Sequence, residues 1–190
     1  MNIGRIIVGI SGASCMPVAI RLLEVLKQEN TEVHLIITDA AKTVLKYDLC
    51  NSKKTIETLE KTADFLYDEN DFSVSVASGS FETDGMIIVP CSMKTLSAVA
   101  NGYADNLVSR SADVCIKHKR NLVIVPRETP LSSIHIENML KLSRIQNVWI
   151  VPPVVGYYFG PKNLEDMENY LVGKIIECFG MEHDLYKKWK

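Results

Sequence analysis

Short, nearly continuous runs of aliphatic residues constrain the fold of this chain more than any other feature. Five runs of four to six residues occur at Arg5–Ile10, Glu32–Ile37, Met86–Val89, Leu122–Val125 and Val148–Val151. A strand that is covered on one face alternates apolar and polar residues, and most of these runs do not alternate. The runs therefore predict the strands of a parallel sheet that is buried on both faces.

Segments with helical periodicity lie between the predicted strands. In Pro17–Glu29, the apolar residues recur with the spacing of one helix face: Ala19, Leu22, Leu23 and Leu26. Further helices are predicted at Asp39–Tyr47, Lys53–Ala63, Lys94–Asn101, Asn106–His118, Ser133–Gln146 and Asn163–Phe179, whereas Phe65–Phe81 fits a loop, a short strand or both. Strands that alternate with helices predict an α/β fold with a doubly wound parallel sheet.

The 190 residues suit one compact domain, and their composition argues against several classes of function. The 21 basic and 23 acidic residues leave a formal charge of −2, without the basic excess that is typical of nucleic-acid binding. No apolar run is long enough to cross a membrane, and the N-terminal residues lack the basic segment of a signal peptide. The five cysteines include no C-x-x-C pair, which indicates neither a zinc site nor a disulfide framework. We expect a cytoplasmic protein without a metal.

The loop after the first strand is a candidate ligand site, because doubly wound sheets bind ligands at the carboxyl ends of their strands. It reads GISGAS over Gly9–Ser14 and leads into a helix, where small residues and free amides favour a phosphate. The spacing matches neither G-x-G-x-x-G nor a P-loop. Ser14 also fits the N-cap of that helix.

Polar or reactive side chains follow the other strands as well. Asp39 fits either a ribose ligand, as in an NAD enzyme, or the N-terminal acid of a helix. Cys91 has no nearby histidine to activate it, which favours a buried thiol over a nucleophile. Arg127 and Glu128 lie between two prolines and combine an anion-binding cation with an acid, or form a surface ion pair. The aromatic loop Gly156–Pro161 indicates a binding wall or an interface.

Together these loops resemble the UbiX/Pad1 family of flavin prenyltransferases, which includes proteins named as small components of hydroxyarylic acid decarboxylases. The resemblance spans the whole chain, and its most specific segments are Ala77–Phe81 (ASGSF), Pro90–Ser97 (PCSMKTLS), Asn101–Arg110 (NGYADNLVSR) and Pro126–Leu140 (PRETPLSSIHIENML). It implies a flavodoxin-like, Rossmann-like sheet in a single domain over residues 1–190. It also implies a homo-oligomer, a dodecamer built of trimers.

The resemblance further implies an activity. Such an enzyme joins the dimethylallyl group of dimethylallyl monophosphate, or of the pyrophosphate, to reduced FMN, first at N5 and then at C6. The reaction needs no metal, because several cations and a tyrosine hydroxyl can stabilise the departing phosphate. The product, prenylated FMN, is the cofactor of a UbiD-type decarboxylase.

Carried over position by position, the resemblance implies three sets of site residues. FMN would be held by Gly12, Ala13, Ser14, Thr38, Ser92, Met93, Lys94, Thr95 and Arg127. The prenyl phosphate would be held by Lys117, Arg127, Tyr158 and Lys174, with Arg110 in support. Glu128 would be the acid and base that acts on the leaving phosphate and the flavin N5 proton, with Ser14 and Asp48 as further catalytic residues.

Four positions depart from the commonest pattern of the family. Thr38 replaces a serine and keeps the hydroxyl, whereas Asp48 is one methylene shorter than the usual glutamate. Lys174 replaces an arginine, which keeps the charge but loses the planar fork. Phe72 stands where some members have tryptophan.

Three alternatives compete with this interpretation. Flavin-dependent cysteine decarboxylases resemble the chain at Ala100–Leu107, but they use a histidine after the first helix and a P-x-M-N-x-x-M-W segment, where this chain reads PPVVGYYFG. A non-catalytic, FMN-carrying component of a hydroxyarylic acid decarboxylase complex would need the FMN loops but not the cations that clamp a prenyl phosphate. The interpretation as an NAD-linked enzyme is based on Asp39, but the chain lacks the glycine loop that such an enzyme needs.

Overall fold

One parallel sheet organises residues 4–48, 57, 59 and 61–189, which the computed structural model describes. Its strands are β1 (Arg5–Ile10), β2 (Glu32–Ile37), β3 (Phe65–Tyr67), β4 (Gly85–Cys91), β5 (Asn121–Pro126) and β6 (Val148–Ile150). They lie in the order β3-β2-β1-β4-β5-β6, and all neighbours pair in parallel. Without the short edge strand β3, this is the strand order of flavodoxin, and its switch point lies between β1 and β4.

Helices cover both faces of the sheet. They are α1 (Met16–Gln28), α2 (Asp39–Asp48), α3 (Met93–Ala100), α4 (Leu107–Lys117), α5 (Ser133–Ser143) and α6 (Leu164–Glu177), with a 3-10 turn at Ser75–Ala77. One core joins the sheet to α1, α2 and α6, and the other joins it to α3, α4 and α5. In β1, Ile6 and Val8 point into the first core and Ile7 into the second, which explains why the strands do not alternate. The doubly wound α/β fold is therefore confirmed.

The predicted elements agree with the structure to within a few residues. All five predicted strands are present, and the helix predicted at Lys53–Ala63 lies largely outside the described residues. The stretch Phe65–Phe81 holds both β3 and the 3-10 turn. The largest error is the end of α5, which was predicted at Gln146 and lies three residues earlier, at Ser143. Asn147, which follows the predicted end, has a φ of 65°. Within the described ranges, no helix is long and apolar enough to cross a membrane.

Candidate active site

A cavity of about 370 Å³ opens at the carboxyl ends of β1, β4 and β5. The residues that line it are Gly12, Ala13, Ser14, Val44, Tyr47, Asp48, Ser92, Met93, Arg127 and Glu128. Eight of these ten were predicted as site residues, and Val44 and Tyr47 on α2 were not. The cavity lies at the switch point of the sheet, where doubly wound folds bind ligands.

Two more open clefts, each of about 580 Å³, lie at the amino ends of the strands. One is lined by Gly4, Arg5, Glu82, Thr83, Asp84 and Arg120, and the other by Lys27, Asn30, Thr31, Glu32, Asp64 and Phe65. Arg5 and Glu32 form an ion pair with each other between them. None of the predicted site residues lines either of these two clefts, whereas eight of them line the cavity of about 370 Å³, which is therefore the candidate active site.

Ser11 ties together the two loops that form the cavity. Its buried Oγ donates to the Pro90 carbonyl at 3.0 Å and accepts the Ser92 amide at 2.8 Å. Ser92 in turn caps α3, because its Oγ accepts from the Thr95 amide at 3.3 Å. Sequence reasoning missed this role of Ser11, and the only signal for it was a serine directly after each of two strands.

Gly12 owes its identity to packing against α2. A Cβ at this position would lie 2.6 Å from the Ala40 Cβ and 3.1 Å from the Ala40 carbonyl carbon. Only a glycine lets the loop after β1 approach the first turn of α2 this closely. The glycine therefore shapes the cavity floor even before any ligand is considered.

The N-terminus of α1 is capped by Asp48, the last residue of α2. Its Oδ2 accepts from the amides of Cys15 at 2.9 Å and Met16 at 3.2 Å. Cys15 is the N-cap residue, with a φ of 95° and no side-chain hydrogen bond to the helix. The alternative in which Ser14 caps the helix is therefore wrong, and the two amides expected to favour a phosphate already bind a carboxylate.

Arg127 and Glu128 occupy the far side of the cavity. Arg127 is half-buried, and its Nε lies 3.5 Å from the Ser14 carbonyl oxygen across the cavity floor. Glu128 is exposed, and its Oε1 accepts from the Thr129 amide at 3.0 Å. The two side chains form no ion pair with each other, so the surface ion-pair alternative is wrong.

Three residues predicted to bind FMN do not line this cavity. The Thr38 hydroxyl accepts from the Ala41 amide at 3.1 Å, at the start of α2. The Thr95 hydroxyl is buried and accepts from the Ser92 hydroxyl at 3.1 Å. The Lys94 ammonium pairs with Asp105 at 2.6 Å. Each of these groups has a structural partner within the chain.

The cations predicted to clamp the prenyl phosphate are dispersed over the chain. Lys117 is exposed at the end of α4, four residues before β5, and so lies at the edge of the sheet opposite the cavity. Arg110 donates to the Ala77 carbonyl and pairs with Asp113, each at 3.1 Å. Neither cation lines the cavity of a single copy. Lys117 is at the amino edge of the sheet because α4 runs antiparallel to the strands, and the Arg110 guanidinium is held by Ala77 and Asp113.

Tyr158 and Lys174 belong to a third location, an aromatic cluster around Tyr170. The Tyr158 hydroxyl donates to the Tyr170 hydroxyl at 3.4 Å, and the Lys174 ammonium lies 5.8 Å from the Tyr170 ring. Lys174 also pairs with Glu177 at 2.9 Å. Its contacts with Tyr186 and Glu177 raise the pKa of Lys174, so it stays charged.

The thiols near the cavity are not activated. Cys91 is buried, as expected for an inert thiol, and burial raises the pKa of Cys91. Burial raises the pKa of Cys15 to about 11, although the nearby Arg127 opposes the shift. Both thiols are therefore protonated at neutral pH, and neither acts as a nucleophile in this state.

Two smaller observations concern acidic residues and possible metal ligands. Asp39 is exposed and pairs with Lys42 at 2.9 Å in the first turn of α2, as expected for an N-terminal helix acid. Across the parts of the chain that the structure describes, no three His, Cys, Asp or Glu side chains converge in a way that could hold a metal ion.

The fold and the cavity define a class of protein: a flavodoxin-like α/β protein with a polar ligand site at the switch point of its sheet. The chain matches the model of the flavoprotein family over residues 1–176. A probable UbiX-like flavin prenyltransferase of Sedimentibacter hydroxybenzoicus is 46% identical over 98% of this chain and 97% of its own length.

Two solved structures are similar over nearly the whole chain. AnUbiX (PadA1), in complex with FMN and dimethylallyl pyrophosphate, is 39% identical with a TM-score of 0.93 and covers 98% of this chain and 97% of its own. A dodecameric FMN-dependent UbiX-like decarboxylase of Escherichia coli O157:H7 is 43% identical with a TM-score of 0.92 and covers 98% and 99%. The chain therefore belongs to the flavoprotein family, among the UbiX-like flavin prenyltransferases.

Proposed function

We propose that this protein is a flavin prenyltransferase, with residues 1–190 forming one flavoprotein domain. It joins the dimethylallyl group of dimethylallyl monophosphate or pyrophosphate to N5 and C6 of reduced FMN. One observation carries the proposal. The cavity at the switch point gathers eight residues that the family resemblance assigns to flavin binding and catalysis. A relative that covers almost the whole chain binds FMN together with dimethylallyl pyrophosphate.

The residues that line the cavity suit the chemistry of a flavin. Its floor is the backbone of Gly12 and Ala13, which lets a flat ring approach closely. Val44 and Tyr47 supply an apolar wall on α2, and Met93 supplies one at the start of α3. Thr38, Lys94 and Thr95 do not line the cavity. In this proposal they contribute to FMN binding by stabilising the first turns of α2 and α3. Reduced FMN supplies the nucleophilic N5 and C6 when it is bound.

Glu128 is the acid and base of the proposed reaction. Its carboxylate is exposed at the cavity rim and accepts one backbone amide, so most of its acceptor capacity is free. The carboxylate would take the proton that N5 releases as its bond to the allylic carbon forms, and would give that proton to the departing phosphate. During ring closure it would take the proton lost from C6 and return it to the allylic double bond, which is consumed as the bond to C6 forms. Ser14, on the facing wall, offers a hydroxyl for the same proton path, and Arg127 stabilises the negative charge that develops.

The charge of the cavity supports a site that other copies of the chain complete. Among the described residues, its lining contains one cation, Arg127, and two acids, Asp48 and Glu128. An allylic phosphate leaves as a dianion and needs several positive groups to stabilise it without a metal. We place the remaining cations, Lys117 and Lys174, at the cavities of neighbouring copies in a homo-oligomer, with Tyr158 beside Lys174 and Arg110 in support.

Exposed apolar side chains on α5 and around β6 form an apolar surface that supports this assembly. They are Leu131, Ile134, Ile136, Leu140, Trp149 and Val154. An exposed apolar surface of this kind is typical of a protein–protein interface. It begins three residues after Glu128, so a second copy that covers it would reach the rim of the cavity. The E. coli relative is itself a dodecamer, which is the assembly we propose here.

The product has a defined destination in this proposal. Prenylated FMN passes to a UbiD-type decarboxylase, and the decarboxylase in the name of the E. coli relative fits that link. We place the reaction in the cytoplasm, in keeping with the free thiols of Cys15, Cys91, Cys115 and Cys178. A non-catalytic FMN carrier is not favoured, because curated relatives that are 44–46% identical to this chain are named as flavin prenyltransferases.

The test is a direct reaction with purified protein. The protein is mixed with FMN, dithionite and dimethylallyl monophosphate, and the flavin mass is measured, with the pyrophosphate in a parallel arm. A flavin heavier by one five-carbon unit supports the transferase. Bound but unmodified FMN with both donors contradicts it.

A further inference from the structure

Asp48 connects the end of one helix to the beginning of another at the floor of the cavity. As the last residue of α2, it presents a single oxygen, Oδ2, to the amides of Cys15 and Met16. These are among the amides that a helix N-terminus leaves without an intrahelical partner. Cys15 is the N-cap residue, and its side chain accepts no hydrogen bond from the helix. Pro17 has no amide hydrogen, so the Cys15 and Met16 amides are the ones that Asp48 satisfies.

The position of Asp48 is unfavourable for α2 and favourable for α1. A carboxylate at the C-terminus of a helix opposes the dipole of that helix, whereas at an N-terminus it is favourable. Asp48 therefore disfavours its own helix α2 and stabilises the neighbouring helix α1. The cap also holds Cys15 at a φ of 95°, a conformation that non-glycine residues rarely adopt. The turn Gly12–Cys15, whose first three residues line the cavity, thus depends on a side chain from another element.

We propose that Asp48 is a positioning residue, which holds the Gly12–Cys15 turn in the conformation that binds flavin, and that it does not transfer a proton. This inference rests on the proposed function for the identity of the ligand. It replaces the assisting acid that the family resemblance implied. The two roles separate cleanly, because asparagine caps a helix about as well as aspartate but cannot give or take a proton at neutral pH.

The experiment compares Asp48→Asn and Asp48→Ala with wild type. FMN affinity is measured by quenching of flavin fluorescence, and kcat, KM and the pH profile by prenyl transfer. Asp48→Asn should keep its FMN affinity within about threefold and leave the pH profile unchanged, since the cap survives. Asp48→Ala should weaken FMN binding about 5–30-fold and raise KM by the same factor, with a smaller change in kcat.

The matched control is Asp39→Asn at the opposite end of α2. Asp39 is exposed, pairs with Lys42 and does not line the cavity, so its FMN affinity should equal that of wild type. Circular dichroism checks that each variant is folded. If Asp48→Ala does not fold, the comparison of Asp48→Asn with wild type still decides between the two roles.

Two results would overturn the proposal. One is an Asp48→Asn variant with wild-type FMN affinity whose kcat falls about 100-fold with the loss of one limb of the pH profile, as for a proton-transfer residue. The other is wild-type FMN affinity in a folded Asp48→Ala. Should wild-type protein bind FMN and transfer no prenyl group, the proposed function fails, whereas the FMN affinities still test the role of Asp48.

Discussion

Ser11 and Ser92 join the loops after β1 and β4 through one hydrogen bond, in which the Ser92 amide donates to the Ser11 Oγ at 2.8 Å. The same hydroxyl donates to the Pro90 carbonyl, so both its donor and its acceptor capacity serve the cavity. Contacts within the chain therefore hold together the two loops that form the crevice. Its shape depends on a residue that is itself buried beneath the lining.

Replacing this hydroxyl tests how much the bridge contributes. Ser11→Ala leaves the Ser92 amide without its partner, whereas the Pro90 carbonyl still accepts from the backbone amide of residue 11 at 3.2 Å. The loss of the Ser92 partner should lower the free energy of unfolding by about 1–3 kcal/mol. Urea unfolding measures the change. The exposed Ser133→Ala is the control and should change stability by about 0.5 kcal/mol or less. Equal effects of the two substitutions would show that the bridge does not stabilise the fold.

Gly12 offers a test of the packing between the loop and α2. Gly12→Ala forces two Cβ atoms together and should destabilise the protein by about 1–3 kcal/mol and weaken FMN binding. Gly4→Ala is the control, because its Cβ would lie 3.7 Å from an Asp84 oxygen, an ordinary contact. Ala40→Gly removes the opposing Cβ, so the double variant should recover part of the loss. Strict additivity of the two substitutions would contradict the contact.

Glu128→Gln tests the acid and base of the proposed reaction. The variant keeps the size and the acceptor of the side chain, so it should bind FMN as wild type does. It cannot exchange a proton, and turnover should fall about 10²–10⁴-fold. The flavin mass after a fixed time measures the loss, with Glu137→Gln on the exposed side of α5 as the control. Wild-type turnover in Glu128→Gln would remove this residue from its role.

The apolar surface on α5 and around β6 leads to a prediction about assembly. Ile134→Glu places a charge at a position that is 65% exposed in the single chain and that we expect to be covered by a second copy. The oligomer should dissociate into smaller species, because burying an unpaired charge is costly. Light scattering after size-exclusion chromatography measures the mass, with Glu137→Gln as the control. An oligomer of unchanged mass would show that Ile134 is not covered by a second copy.

Glu177 makes stability depend on pH in acid. Burial would raise the pKa of this carboxyl, but hydrogen bonds from Tyr186 and Lys174 outweigh it and hold the pKa at about 2, against an ordinary value of 4.5. Because the folded pKa is lowered, the stabilisation is present above about pH 4.5 and is lost as the pH falls towards 2. It is on the order of 2 kcal/mol after a discount for partial exposure.

Glu177→Gln measures this contribution. The variant should be less stable than wild type at pH 6, and the difference should shrink as the pH falls from 5 to about 2. Urea unfolding at several pH values gives both curves, and the exposed Glu182→Gln is the control. A difference that does not change with pH would contradict the assignment.

The parts of the structure that the sequence predicts are those that local patterns control. The strands follow from runs such as Glu32–Ile37, and the cavity follows because parallel strands place their carboxyl ends at one edge. The contact of Asp48 with α1 could not be predicted, since it depends on how α1 and α2 pack. The dispersal of the cations was partly predictable. Lys117 comes four residues before β5, which already places it at the opposite edge.

The central claim is that two copies of the chain complete each active site around a flavin. It is tested most directly by co-expressing Glu128→Gln with Lys117→Ala and measuring prenylated flavin from the mixed oligomer. Each variant alone should be nearly inactive. In a mixed oligomer about a quarter of the sites would combine an intact Glu128 with an intact Lys117 from another copy, so activity should return. No recovery in a verified mixed oligomer would contradict the shared site.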